Sequence, residues 1–299
     1  MYLIIRSFFY EKKYKLINTK IIRITIFIFL FIIFSTIFYG SFIESKKITI
    51  KTINLDTPKL NLEQPIKIVF LTDTHFGIYK NIKFAEKIKN IVKKEKPDLL
   101  LLGGDYILQK AEYIKLLEPI SKLTNEVPTF AVMGNHEYNI GWYDDDKYLD
   151  KTPLIKQYFD NWQIDYLINQ NKSIEIQGQI LNIIGLDDLY TNRANLEIAT
   201  QGIDNENLNI LLSHNPDIIL QTNKIVNMDL ILSGHTHGGQ IRLPFIGSVV
   251  NLPTLLEKKY DKGLFQIKNT YLYISAGLGE SGPRARLFNP PEISIVNLY

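Results

Sequence analysis

IKIVFLTDTH, residues 66–75, decides the reading: a short, mostly apolar run passes directly into Asp73 and His75. A run of this length, rich in β-branched side chains, suits a buried strand. The arrangement recurs four times. Residues 99–102 (LLLL) lead to Gly104-Asp105, 129–133 (TFAVM) to Gly134-Asn135-His136, 208–212 (LNILL) to Ser213-His214, and 230–232 (LIL) to Gly234-His235-Thr236-His237. Between the runs, residues 82–94 place Phe84, Ile88, Ile91 and Val92 near helical spacing, and residues 111–123 do the same with Ile114, Leu117 and Ile120. Alternating strands and helices predict an α/β fold. Residues 173–176 and 180–184, around Gln177-Gly178, predict an antiparallel hairpin.

Ligands of open α/β sheets bind at the carboxyl ends of the strands, so these polar tails are expected on one rim. All five histidines of the chain (His75, His136, His214, His235, His237) fall in them, together with Asp73, Asp105 and Asn135. Imidazole, carboxylate and amide donors without thiolate suit Mn²⁺, Fe or Zn²⁺, and the chain has no cysteine. Eight groups exceed what one ion needs. Two ions about 3.5–4 Å apart, bridged by a carboxylate, are the natural arrangement for such a set.

The motifs D-x-H (residues 73–75), G-D (104–105), G-N-H-E (134–137), His214 and G-H-x-H (234–237), in this order, resemble those of the calcineurin-like metallophosphoesterases. The continuations GHTHGGQIRLPFIG (234–247) and SAGLGESGPRARLFNPPEI (275–293) resemble the bacterial membrane-associated branch of that family. The resemblance implies a four-layer sandwich of two packed β-sheets flanked by helices. It assigns Asp73, His75, Asp105 and His237 to one ion, and Asp105, Asn135, His214 and His235 to the other, with Asp105 bridging. It further implies attack of a metal-activated hydroxide on a phosphomonoester or phosphodiester, assisted by His136. Many relatives carry a second Asp in G-D-x-x-D that orients the catalytic histidine; here that position is Leu108. An acid among residues 144–146 or a backbone carbonyl would then orient His136. The alternative substrate is UDP-2,3-diacylglucosamine or another lipid-linked pyrophosphate of lipid A metabolism. The alternative of another class is a non-catalytic metal-binding scaffold.

Outside the motifs, residues 24–43 (ITIFIFLFIIFSTIFYGSFI) carry no charge and are long enough to cross a bilayer core of about 30 Å. No small-x-small cleavage site follows, so an uncleaved anchor is expected rather than a signal peptide. Six basic residues precede the run and four follow it closely, which favours a cytoplasmic N-terminus and an extracytoplasmic catalytic domain. The tail alone carries a formal +5 of the chain's +3, leaving the remainder slightly acidic and excluding a nucleic-acid-binding working face. The expected organisation is a basic tail (1–23), an anchor (24–43), a linker (44–65) and one catalytic domain (66–299). Gly277–Gly282 matches G-x-G-x-x-G, but Pro283 follows and no βαβ unit fits after it, so a glycine-rich loop near the ions is expected instead of a nucleotide site. Arg242, Arg284 and Arg286 are candidate contacts for the substrate anion.

Overall fold

The computed structural model describes residues 19–60, 62–141, 150–222 and 228–299. Residues 142–146, which include Trp142, Tyr143 and the acids considered for His136, lie outside the described residues, as does most of the basic tail. The chain divides into two compact units after Tyr39.

The first unit carries helix α1 (Thr19–Phe38), predominantly apolar with no buried residue. Twenty residues at 1.5 Å rise span about 30 Å. This helix and the turns that extend it to Lys46 form one candidate membrane span by length and composition. It begins before the uncharged run and includes Lys20 and Arg23.

The second unit holds strands β1 (Thr49–Leu55), β2 (Ile66–Leu71), β3 (Leu99–Leu102), β4 (Thr129–Ala131), β5 (Asp165–Tyr166), β6 (Gln170–Ile176), β7 (Gln179–Gly185), β8 (Leu208–Leu212), β9 (Leu230–Ser233), β10 (Arg242–Leu243), β11 (Gly247–Ser248), β12 (Gly263–Ile267), β13 (Thr270–Ile274) and β14 (Glu292–Leu298). They build two six-stranded sheets, ordered β1-β14-β2-β3-β4-β5 and β12-β13-β9-β8-β7-β6, plus the small β10-β11 hairpin. In the first, β2, β3 and β4 run parallel; in the second, β7, β8, β9 and β13 do.

Alternation along the strands explains the layers, because successive side chains point to opposite faces. Ile66, Ile68 and Phe70 of β2 and Leu99 and Leu101 of β3 pack on Leu181, Ile183, Ile210 and Leu232 of the other sheet. The intervening Val69, Leu71, Leu100 and Leu102 face outward onto Phe84, Ala85, Ile88 and Val92 of helix α2 (Ile82–Glu95). On the far side, Ile184, Leu211 and Ile231 are covered by Leu196, Ala199 and Ile219. Helix, sheet, sheet and helix are the four layers expected.

Two local readings need correction. Residues 111–123 form not one α-helix but 3₁₀ turns on either side of a single α turn, α3 (Glu118–Ser121). Their buried residues Ile114, Leu117, Ile120 and Leu123 repeat every third position, the 3₁₀ period, and Pro119 removes a helical donor. The stretch read as linker contains β1, which pairs in parallel with β14 from Thr49↔Glu292 to Leu55↔Leu298 and buries Ile53 and Leu55 between the sheets. The hairpin predicted at residues 173–184 forms as β6 and β7.

Candidate metal centre

Each strand end turns sharply. Asp73, His75, Asp105, His235 and His237 all take left-handed backbone conformations, with φ between 41° and 68°. Non-glycine residues adopt this region at a cost and do so chiefly at functional sites. The turns are laced together: Asp73 N–H donates to the Gly104 carbonyl (3.0 Å), His75 N–H to Asp105 (3.1 Å) and Gly234 N–H to His214 (3.0 Å). The glycine-rich loop joins them, Leu278 N–H donating to Thr72 and Gly279 N–H to Asp73. Gly234 lies so close that a Cβ there would collide with the Asp73 carboxylate.

Glu137 locks the second and third turns. Its carboxylate accepts from the N–H groups of Gly134, Asp105 and Tyr106, each at 2.8 Å. Burial and neighbouring Asp105 push this acid up to about 7. The motif contained Glu137, yet sequence reasoning gave it no role.

Three overlapping groups that could hold a metal ion result, each with donor atoms within 4.8 Å of one another: Asp73, His75 and His237; His75, Asp105 and His136; Asp105, His214 and His235. Asp105 Oδ2 lies 3.1 Å from His214 Nε2, 3.5 Å from His75 Nε2 and 4.0 Å from His136 Nε2. His237 Nε2 lies 3.4 Å from Asp73 Oδ1 and 3.1 Å from His75 Nε2. Outer partners fix the rings, as metal-binding histidines require: His214 Nδ1 meets the Gly103 carbonyl at 2.7 Å, and His235 Nε2 meets that of Pro253 at 3.0 Å.

The donor chemistry fits divalent ions. The Asn135 amide donates to the Ile140 carbonyl, while its buried Oδ1 lacks a hydrogen-bond partner. Burial, with His214 beside one and Arg286 beside the other, pushes His235 and His237 down to about 3. Burial and His136 hold His75 well below the usual range as well. Neutral imidazole is the ligating form. Burial opposes charge on both Asp105 and His214, but Asp105 is held well below the usual carboxylate range by His214, His136 and His75, and His214 is raised by Asp105. A cation would take the place of that proton.

His136 sits edge-on to His75, ring centroids 4.6 Å apart. Its N–H donates to Asp105 Oδ1 (3.0 Å), and its carbonyl accepts from buried Lys151 Nζ (2.9 Å). Leu108, at the position of the absent acid, is fully buried. The centre opens into a cavity of about 540 Å³ whose other wall is Ile140, Tyr190, Val250, Leu252 and Pro253.

None of the three arginines lines this cavity. Arg286 is fully buried and donates to the carbonyls of Ala276, Gly277, Gly279 and Asn289, holding the glycine-rich loop. Arg242 pairs with Asp261 and donates to the Gly238 carbonyl. Arg284 lies over the rings of Phe42 and Tyr79. Arg286 and Arg242 have their charged groups met by carbonyls or a carboxylate within the fold. Sequence reasoning also missed Asp187 and Asp188, which follow β7 just as the ligands follow the other strands. Asp187 accepts from the Tyr138 hydroxyl at 2.5 Å, and buried Asp188 faces His214 electrostatically.

Two packed mixed sheets with histidine, carboxylate and amide donors gathered on one rim define the class of two-ion metallohydrolases. The profile of the calcineurin-like phosphoesterase matches residues 66–239, and the chain belongs to that family. It is 32% identical over 268 residues to the uncharacterized metallophosphoesterase YkoQ of Bacillus subtilis strain 168, covering 88% of this chain and 95% of that one. It is 31% identical over 237 residues to the phosphodiesterase YaeI of Escherichia coli K12, covering 78% and 82%. A metallophosphoesterase of Campylobacter jejuni, Cj0846, is 32% identical over 294 residues, covering 96% of this chain and 72% of the relative. The protein is therefore a metal-dependent phosphoester hydrolase.

Proposed function

We propose that this chain is a membrane-anchored phosphoesterase with an extracytoplasmic catalytic domain, hydrolysing phosphodiesters or phosphomonoesters with two divalent ions drawn from Mn, Fe or Zn. The observation that carries the reading is Asp105: one carboxylate stands in ligand groups on both sides of the centre. Asp73, His75, Asp105 and His237 would hold one ion, and Asp105, Asn135, His214 and His235 the other. When bound, the ions supply an activated water and the positive charge that offsets a phosphoryl transition state. The neutral Asn135 amide keeps the site from repelling an anionic ester. His136 presents its ring at the cavity wall, beside Asp105 and outside the two quartets, where it donates a proton to the leaving oxygen. Asp105 and Lys151 hold the His136 backbone through its N–H and its carbonyl.

The test is hydrolysis of bis-p-nitrophenyl phosphate and p-nitrophenyl phosphate by the full-length chain supplied with Mn²⁺. His136→Ala is expected to lower kcat by about 10²–10⁴-fold while bound metal stays constant. Loss of metal in that variant, or unchanged turnover, would remove His136 from the chemistry.

A further inference from the structure

The β10-β11 hairpin ends in Phe245, whose side chain is wholly exposed at 109% of its reference area, with Ile246 beside it at 62%. Phe288, also exposed, lines the same recess as Phe245 and Ile246. A soluble surface rarely tolerates such a concentration of apolar rings, and it marks a surface that something covers.

The hydrogen bonds of the surrounding loops indicate what that is. The Leu287 N–H donates to Gln240 and the Arg242 N–H to Leu287 (3.1 and 2.9 Å), so residues 284–289 run beside the base of the hairpin. On their other side, the Arg286 N–H donates to the Gly40 carbonyl at 3.1 Å, the Asn289 N–H to the Glu44 carboxylate at 2.6 Å, and Arg284 lies over Phe42. Residues 40–46 are the stretch that continues the candidate span. Residues 284–289 therefore bridge the base of the hairpin and the stretch that continues the candidate span. Lys258 and Lys259 line the recess under Phe245 and Phe288, which places cations beside the apolar tip in the pattern that anionic lipid surfaces attract. The chain then passes from Ser248 directly to Val250, Leu252 and Pro253, the apolar wall of the metal cavity, and the Pro253 carbonyl holds His235.

We propose that the hairpin tip at Phe245 and Ile246, with Phe288, docks on the bilayer surface, and that the cavity beside it takes a phosphoester borne on a membrane lipid. The inference rests on the reading of the chain as a membrane-anchored phosphoesterase, and it adds the side from which substrate arrives. The apolar wall receives the first part of the acyl chain while the phosphate reaches the ligand rim.

The chain lacks cysteine, so single labels are clean. Phe245→Cys and Ile180→Cys, the latter at the opposite end of the second sheet, are each spin-labelled in the full-length chain in phosphatidylcholine–phosphatidylglycerol vesicles. The label at 245 is expected to collide with oxygen dissolved in lipid and to be shielded from a water-soluble nickel chelate, with the reverse at 180. Water exposure at 245 overturns the docking, and shielding from both reagents overturns it in favour of a protein partner or a second copy. In the same vesicles, Phe245→Ser is expected to leave hydrolysis of bis-p-nitrophenyl phosphate unchanged and to lower that of hexadecyl p-nitrophenyl phosphate by about tenfold, the scale of burying one aromatic ring. Equal effects on both esters overturn the lipid-substrate claim. Hydrolysis of neither ester by the unsubstituted chain would remove the enzymatic reading, while the labels still report on docking.

Discussion

Asp105 is buried among three histidines, and its ionisation depends on them: burial disfavours the charge, while His214, His136 and His75 favour it. Two neighbouring residues set how the rim tolerates change. Glu137 satisfies three backbone donors at once, so Glu137→Leu leaves them buried without partners and is expected to lower stability by about 3 kcal/mol or more, read as a shifted urea midpoint with unchanged slope. Gly234→Ala is expected to displace the Asp73 carboxylate and weaken metal binding, measured by metal content after dialysis, while the circular dichroism of the fold persists. At this scale the sequence was most informative where chemistry is rare. Five histidines placed after apolar runs had few explanations other than a ligand cluster. It was least informative for arginine, a residue that serves carbonyl-rich loops and anions equally well: Arg286 met the loops, and no local pattern distinguishes the two. Asp187-Asp188 obeyed the same strand-end rule as the ligands, and extending that rule past residue 184 finds them.

Among the elements, the central strands were legible because a four- to six-residue apolar run has one good environment, between two layers. β1 was not, since its sequence TIKTINL leaves most of its length exposed at a sheet edge and only Ile53 and Leu55 turn inward. Leu55→Ala is therefore expected to cost about 2–4 kcal/mol of unfolding free energy, where a linker residue would cost almost nothing. The segment before β1 is also built in. Lys80, buried and bonded to the Ser45 carbonyl and to Glu280 (3.0 Å), is pushed down to about 8 by burial. Its folded value lies below the ordinary 10.5, so between about 8 and 10.5 the unfolded chain binds more protons and stability rises with pH. Below 8 both states are protonated and the contribution is constant. Lys80→Met is expected to reduce the rise, measured by urea unfolding across that window.

At the scale of the whole molecule, two sheets converge their carboxyl ends on one rim, and the proposed centre would draw donors from both: Asp73, Asp105 and Asn135 follow strands of the first sheet, His214, His235 and His237 those of the second. Ions bound there tie the sheets together, so chelation is expected to lower the unfolding temperature. Binding at one hundred times the dissociation constant contributes about 2.7 kcal/mol, which is several degrees for a domain of this size. The most direct test of the shared-carboxylate centre is the metal stoichiometry of the purified full-length chain, measured by atomic emission beside its Asp105→Asn variant. The account predicts two ions per chain, falling below one in the variant together with loss of phosphodiester hydrolysis. A single ion per chain, unchanged in Asp105→Asn, would contradict it.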